Sequence, residues 1–327
     1  MRCSVRKKQF LAAMAILMVA AALPGSSRAG TLATDIIGLF PKELGEFAYA
    51  DLKTARRFPW FAQLKDQMLP SRFRQFEQFL ASAGIDPNTQ VDELAWAAAT
   101  AVAGEQIVGV ALGQFSPSAA EQFFKAQKLP ITRVRGYTLF AFGSGVGPND
   151  IFFFFLDSNT AAFGHRNILE KLIEVRFGTE EGLLRNEKFF RMIDEVNGRG
   201  VVWAVLDQGY TRLALQQLVP EAAQFPEATQ LMGKIQALMI QIEADRGIEA
   251  RFQAVCESPE NANLFAALLQ AGLLYRRYQE NQSNPDLAKT LEDARINSRG
   301  ERLELRLALS EERLTYLLRR NTFAVRM

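Results

Sequence analysis

Two stretches decide the fold class, Glu46-Phe47-Ala48-Tyr49-Ala50-Asp51 and Val201-Val202-Trp203-Ala204-Val205-Leu206-Asp207. Each is a short apolar run that ends at an aspartate, and each lies between short helical patterns. Continuous or alternating apolar runs of this length are typical of buried β-strands. We therefore expect two strands of similar character, one in each half of the chain, each followed by a helix.

The segments between these strands predict further hairpins and helices. Leu94 to Val102 and Ile107 to Phe115 form two β-like runs joined across Gly104-Glu105, and so short a turn implies antiparallel pairing. Amphipathic spacing predicts six helices: Trp60 to Ala83, Ala119 to Gln127, Asn167 to Phe177, Thr229 to Ala244, Asn261 to Tyr278 and Glu311 to Arg319. The expected fold is α+β, with mostly antiparallel sheet and helices packed on a face.

Matched landmarks suggest an internal duplication. The pairs Ser116-Pro117 and Ser258-Pro259 both follow a predicted strand and have the chemistry of a helix start. Farther along, Arg135-Gly136 and Arg299-Gly300 each predict a tight turn between β-like stretches. We therefore expect two related α+β halves, residues 30–178 and 179–327.

The first 29 residues predict a cleavable secretory signal. A basic start precedes an apolar run from Phe10 to Leu23, which is 14 residues long and too short to span a bilayer. Small residues close the segment at Ser27 and Ala29. We expect cleavage between Ala29 and Gly30, and hence a periplasmic or extracellular protein.

Removal of this signal changes the charge of the chain. Five basic residues and no acidic residue are lost, so the formal net charge falls from +2 to −3. Nucleic acids and anionic membrane surfaces bind proteins that carry a concentrated positive field. The sequence therefore argues against both as partners, and no mature segment is apolar for long enough to span a membrane.

The turn Gly84-Ile85-Asp86-Pro87, followed by Val91-Asp92-Glu93-Leu94-Ala95, resembles a signature of exported bacterial proteins that are grouped as a domain of unknown function. The later segment from Leu287 to Leu309 is similar to the end of those proteins. The resemblance implies the same layout of strands and helices, and it brings no activity, cofactor or partner to this chain.

Metal and cofactor sites are not expected. The chain has a single histidine, His165, and the mature part keeps a single cysteine, Cys256, so sites built on paired His or Cys ligands cannot form. The oxygen-rich loop from Asp86 to Glu93 alternates possible calcium ligands but lacks the central glycine and the distant glutamate of a calcium loop. A structural turn explains the same residues.

No catalytic set can be assigned. The glycines from Gly143 to Pro148 precede a β-like run instead of a helix, which favours a hairpin loop over a phosphate site. Ser144 lacks the preceding glycine that a nucleophile elbow requires. The strand-end carboxylates Asp51, Asp157 and Asp207 leave acid/base catalysis open, because sites often collect at strand ends.

Phenylalanine is abundant, with 25 residues. Phe152 to Phe155 are consecutive, and pairs occur at Phe123-Phe124 and Phe189-Phe190. A strand buried on both faces predicts such a run. The alternative is an apolar cavity or an exposed aromatic surface for a lipid or a protein.

Together these features predict a soluble exported envelope protein that binds a protein or an apolar ligand without catalysis. The hypothesis depends on the export signal and on the missing catalytic sets. The alternative is a hydrolase-like enzyme with a carboxylate or Ser/Tyr site that cannot be recognised in the sequence. An enzyme should show a pocket with converging buried polar groups, whereas a binding module should show an apolar groove or patch.

Overall fold

The computed structural model describes residues 30–69, 71–101, 104–218, 230–245, 247–283 and 285–320. The predicted signal, Met1 to Ala29, lies outside these residues. The α+β fold class is confirmed. The chain divides into two compact units, which we call the N-terminal unit (residues 31–54 and 70–197) and the C-terminal unit (residues 55–69 and 198–320). The predicted division into halves 30–178 and 179–327 stays a prediction.

All the strand pairs described within each unit are antiparallel, as the short turns predict. The N-terminal unit contains β1 (Glu46–Asp51), β2 (Val91–Ala101), β3 (Gly104–Gly113), β4 (Ile131–Val134), β5 (Tyr137–Phe142), β6 (Ile151–Phe155) and β7 (Thr160–Gly164). The C-terminal unit contains β8 (Val202–Asp207), β9 (Ile235–Asp245), β10 (Gly247–Cys256), β11 (Arg295–Arg299) and β12 (Arg302–Ser310). The spatial order is β1-β2-β3-β7-β6-β5-β4 in the former and β11-β12-β10-β9-β8 in the latter.

Helices connect these strands. The N-terminal unit contains α1 (Thr34–Gly38), α2 (Leu52–Ala55, whose last residue is assigned to the other unit), α4 (Ser71–Ser82), α5 (Pro87–Gln90), α6 (Pro117–Ala126), α7 (Arg166–Arg176) and α8 (Glu187–Val196). The C-terminal unit contains α3 (Phe61–Met68), α9 (Gln208–Leu218), α10 (Pro259–Ser283), α11 (Pro285–Glu292) and α12 (Glu311–Arg319). No helix among the described residues is long and apolar enough to cross a membrane.

An aromatic cluster forms the core of the N-terminal unit. Phe76 of α4 lies with its ring centroid 5.3 Å from that of Phe153 in β6, and Phe124 of α6 lies 5.0 Å from the same ring. Phe152, Phe153 and Phe154 are buried, which confirms the buried-strand interpretation, whereas Phe155 is half-buried. The rings fill this space themselves, so the phenylalanine run packs a core.

One glycine of the N-terminal unit makes this packing possible. Gly109 of β3 is the direct partner of Phe163 in β7. A Cβ atom at position 109 would lie 2.3 Å from the Phe163 ring, closer than two carbon atoms can approach. The Phe163 ring therefore occupies the space that a side chain at position 109 would otherwise take.

The sheet of the C-terminal unit has one apolar and one charged face where β10 pairs with β12. Ile248 pairs with Leu309 and Ala254 with Leu303, and all four side chains are buried. Because successive side chains point to opposite faces of a strand, Arg251, Glu304 and Arg306 share the other face. There Arg306 Nε lies 2.6 Å from Glu304 Oε1. Helix α10 packs against β10, β11 and β12.

Two helix predictions are wrong. The segment predicted as a helix from Thr229 to Ala244 contains β9, because Ile235 to Asp245 is a strand with buried residues at successive positions. A strand buried on both faces has no period of two, so its apolar positions also fit a helix. The predicted helix from Trp60 to Ala83 is divided into α3 and α4, which end and begin on either side of Pro70.

The two units share an order of elements. In each, three consecutive strands pair as neighbours, β1-β2-β3 and β8-β9-β10, and a helix that begins at a Ser-Pro pair follows the third strand. The Arg-Gly hairpins have different neighbours, because β12 lies next to β10 whereas β6 and β7 separate β5 from β3. A duplication therefore has to include one additional hairpin in the N-terminal unit, and it stays a prediction.

Candidate interaction surface

Helix α10 is the longest described helix, with 25 residues, and its start is well capped. The Ser258 hydroxyl accepts a hydrogen bond from the Asn261 backbone N–H at 3.3 Å, and Pro259 occupies the first turn. Glu260 adds a negative charge near the N-terminus, and its hydrogen bond with Ser258 lowers the pKa of its carboxyl. The sequence thus fixes where this helix begins.

One face of α10 packs on the C-terminal unit. Ala262, Phe265 and Ala266 are buried there. Polar contacts hold the same helix at both ends: Ser298 of β11 donates to Asn263 Oδ1 at 2.7 Å, and Arg277 lies 3.2 Å from Glu292 of α11. These contacts fix the rotation of α10 about its own axis.

The opposite face of α10 is apolar and exposed. We call this surface the α10 stripe and define it as Leu264, Leu268, Ala271, Tyr275 and Tyr278, all exposed. Leu268 is 50% exposed, Tyr275 65% and Tyr278 73%. At about 100° per residue the five positions fall within an arc of about 80°, centred roughly opposite Ala262 and Ala266. Leu274, 64% exposed, widens the surface on one side.

The three strand-end aspartates that were candidates for acid/base catalysis each accept a hydrogen bond from a residue two or three positions farther along the chain. Asp51 accepts hydrogen bonds from the N–H and the hydroxyl of Thr54, at 2.8 and 2.7 Å. Asp207 accepts one from the Tyr210 N–H at 2.8 Å, and burial raises the pKa of its carboxyl. Asp157 accepts one from the Asn159 N–H at 2.7 Å. The first two cap helices α2 and α9, and the third closes a turn.

His165 follows β7 and is the N-cap residue of α7. Its ring atom Nδ1 accepts a hydrogen bond from the Ile107 backbone N–H at 2.8 Å, and the His165 backbone N–H donates to the Ile107 carbonyl oxygen at 2.8 Å. The histidine thus takes part in tying the start of α7 to β3.

The oxygen-rich loop from Asp86 to Glu93 forms helix α5 and the start of β2. Asp86 Oδ1 accepts from the Asn88 N–H at 2.9 Å, and its Oδ2 accepts from the Thr89 hydroxyl at 3.1 Å. These bonds have the geometry of a helix cap with Pro87 in the first turn. Among the described residues, no group of three or more His, Cys, Asp or Glu side chains is placed to hold a metal ion.

Asp150 organises the glycine-rich loop from Gly143 to Pro148, which joins β5 to β6. The Ser144 hydroxyl donates to Asp150 Oδ2 at 2.9 Å, and the Gly147 N–H donates to the same oxygen at 2.9 Å. A Cβ atom at position 143 would lie 2.1 Å from Asp150 Oδ1, so a glycine is needed there. The loop is built around its own aspartate.

Strand β1 contains two buried side chains with polar groups, Glu46 and Tyr49, that the sequence pattern does not distinguish from the rest of the strand. Glu46 is 1% exposed, and burial together with the nearby Glu105 charge raises the pKa of its carboxyl to about 8. Within the described residues, its Oε1 has no hydrogen-bond partner. Tyr49 is buried, its hydroxyl donates to Glu93 Oε2 at 2.8 Å, and burial raises its pKa.

Cys256 is the buried last residue of β10. Its side chain is 2% exposed, and burial raises the pKa of the thiol. A buried, protonated thiol is a weak nucleophile and a weak metal ligand.

The α10 stripe is the feature that sequence reasoning missed. The segment from Asn261 to Tyr278 predicts an amphipathic helix, yet its apolar residues occupy two opposite faces. The spacing of the stripe residues, which alternates between four and three positions, is visible in the sequence and could have predicted this second apolar face. An ordinary surface helix needs only one apolar face, so the second face is what calls for a functional explanation.

Comparisons with known proteins add three distant solved structures. No family model matches the sequence, and the search of curated proteins found no match. The chain is similar to crystal forms I, III and IV of TP0453, with TM-scores of 0.49, 0.49 and 0.48 and sequence identities of 10%, 10% and 11%. The matches cover 92%, 86% and 86% of this chain and 100%, 96% and 95% of those chains.

Proposed function

We propose that the protein is an exported, non-catalytic binding module of the cell envelope and that it binds a partner protein through the α10 stripe. The basic start, the apolar run and the small residues at the end of the segment from Met1 to Ala29 support export, with cleavage before Gly30. The mature protein acts in the periplasm or outside the cell.

The exposure of the stripe is the observation that carries this proposal. Two tyrosines and two leucines are exposed to solvent on a helix whose opposite face packs on the sheet. A contiguous exposed apolar surface of this kind is typical of a protein interaction site, and tyrosine is enriched in such sites. The phenylalanine cluster supports a protein over an enclosed apolar ligand, because its rings pack against one another.

The caps formed by Asp51 and Asp207 support the same proposal. A carboxylate that holds a helix N-terminus is accounted for by the fold, so neither residue needs a catalytic role to explain its place at a strand end.

Photo-crosslinking in cells tests the proposal. A benzophenone amino acid replaces Tyr275 on the stripe, and the matched control carries it in place of Gln270, which is exposed on another side of α10. We expect a protein adduct on illumination of the Tyr275 variant and little or none with the control. Equal adducts at both positions, or none at either, would contradict a stripe-specific partner.

Export is tested separately. Amino-terminal sequencing of the protein from the envelope fraction should begin at Gly30. An intact Met1 would contradict the export part of the proposal and leave the binding surface unaffected.

A further inference from the structure

We infer that the partner on the α10 stripe is helix α10 of a second copy of this chain, packed antiparallel to the first. This inference rests on the proposed function, because it names the occupant of the same surface. Four observations carry it: the spacing of the stripe, its lack of charge, its pattern of large and small residues, and its size.

The spacing points to a helix as the occupant. The stripe residues Leu264, Leu268, Ala271, Tyr275 and Tyr278 follow one another at steps of four, three, four and three. This alternation has a period of 3.5 residues, which is the period of helices that pack side chains into each other along a seam. The stripe covers 14 steps, or about 21 Å of helix at about 1.5 Å per residue, enough for four turns of a partner helix.

The charges around the stripe are compatible with a copy of itself. Between Asn261 and Gln279 the sequence has only two charged residues, Arg276 and Arg277. Both form ion pairs within their own copy: Arg276 lies 2.8 Å from Glu280, and Arg277 lies 3.2 Å from Glu292. Two copies can therefore approach without repulsion. A helix that binds an anionic membrane surface instead carries Lys and Arg along the border of its apolar face.

The order of side-chain sizes favours an antiparallel pair. With the helices antiparallel, Leu268 of each copy lies against Ala271 of the other, and Tyr275 lies against Leu264. Each large side chain then meets a smaller one, and the interface is identical from both sides, as a two-fold dimer requires. A parallel pair would place Ala271 against Ala271 and leave space between the helices.

The size of the stripe is sufficient for a dimer of modest affinity. The two tyrosines and the two leucines expose about 500 Å² on each copy, so a pair that covered all of this surface would bury at most about 1,000 Å², which is at the low end for a specific interface and typical of weak dimers.

Sedimentation equilibrium of the purified protein tests the inference. We expect wild-type protein to sediment as a dimer at high concentration. Leu268→Glu should raise the dimer dissociation constant by about 100-fold or more, because the dimer would bury an unpaired charge on each copy. Gln270→Glu, the matched control off the stripe, and Leu268→Met should keep the wild-type constant. An unchanged far-ultraviolet circular dichroism spectrum shows that each variant folds.

Cysteine crosslinking tests the orientation. If the pair is antiparallel, the double variant Leu268→Cys with Ala271→Cys should form a disulfide dimer far faster than the single variant Ala271→Cys. Only the double variant places a cysteine at position 268 of one copy opposite a cysteine at position 271 of the other. Equal rates for the single and the double variant would overturn the antiparallel arrangement.

The remaining outcomes separate this inference from the proposed function. A chain that is monomeric at every concentration, yet gives a photo-adduct with a different protein at Tyr275, overturns self-association and leaves the binding function standing. A dimer that Leu268→Glu leaves intact also overturns the inference. A monomer that gives no adduct and floats with phosphatidylcholine vesicles, unless Leu268 is changed to Glu, overturns both and makes lipid the occupant.

Discussion

Helices α6 and α10 begin at the same sequence motif but present their apolar residues differently. Each follows the third strand of its unit and starts at the proline of a Ser-Pro pair. In α6 the apolar residues Ala120 and Phe124 are buried, and the exposed positions carry only small or polar residues, such as Gln122 and Lys125. In α10 a packed face is combined with the exposed α10 stripe. Residue type alone therefore does not mark an interaction surface, whereas an apolar face without a packing partner is typical of one.

The largest effect on stability should come from a change in the buried apolar face of α6. Phe124 is completely buried and contacts Phe79, Phe140 and Phe153. Phe124→Ala should lower the free energy of unfolding by about 4 kcal/mol, because it removes a large ring and leaves a cavity. Urea unfolding followed by circular dichroism measures the change. A loss of less than about 1 kcal/mol would show that α6 is not held by its apolar face.

The buried carboxyl group of Glu46 should make the free energy of unfolding depend strongly on pH. Because the folded pKa of about 8 lies above the ordinary 4.5, this group contributes stability below pH 4.5 that is lost as the pH rises through 8. Between pH 5 and pH 7 the loss should be about 3 kcal/mol, at about 1.4 kcal/mol per pH unit.

The variant Glu46→Gln carries no titrating group and should remove this part of the pH dependence. Urea unfolding at pH 5, 6, 7 and 8 measures both proteins. The same slope in wild type and variant would show that Glu46 is not the group responsible.

A smaller effect should distinguish the starts of the two helices. The Ser258 hydroxyl accepts a capping hydrogen bond, whereas the Ser116 side chain makes no such bond. Ser258→Ala should therefore cost about 1 kcal/mol of unfolding free energy, and Ser116→Ala a few tenths at most. Thermal or urea unfolding of the two variants measures the difference. Equal losses would contradict the described cap geometry.

The smallest effect should be found on the stripe itself. In protein dilute enough to be monomeric, Leu268→Gln should change the free energy of unfolding by less than about 0.5 kcal/mol, because the side chain is exposed and glutamine suits a helix. At higher concentration the wild type, and not the variant, should gain stability through association. A loss above about 2 kcal/mol in the monomer would mean that Leu268 belongs to the core.

The sequence predicted the strands and helices whose patterns are simple. Helix α12 was predicted with its observed bounds, Glu311 to Arg319, and β1 with Glu46 to Asp51. Helix α10 was predicted as Asn261 to Tyr278 and extends beyond both ends. Strong periodicity and clear caps fix these elements locally, so little depends on the rest of the molecule.

Other features depend on neighbours that the sequence does not reveal. Strand β9 has apolar residues on both faces, so their spacing also fits a helix. Only the pairing of this segment with β8 and β10 determines that it is a strand. For the α10 stripe, the apolar residues are visible in the sequence but their exposure is not, since a buried helix would have the same composition. The capping roles of Asp51 and Asp207 likewise depend on backbone geometry.

The burial of Cys256 gives the protein an internal reporter of its own unfolding. The only other cysteine, Cys3, lies in the predicted signal, so a chain cleaved before Gly30 would carry one thiol. In the folded state this thiol is shielded and its thiolate population is small, so a thiol-specific reagent can react only when β10 opens. The labelling rate of the natural, unmodified protein therefore measures the opening of the sheet in the C-terminal unit.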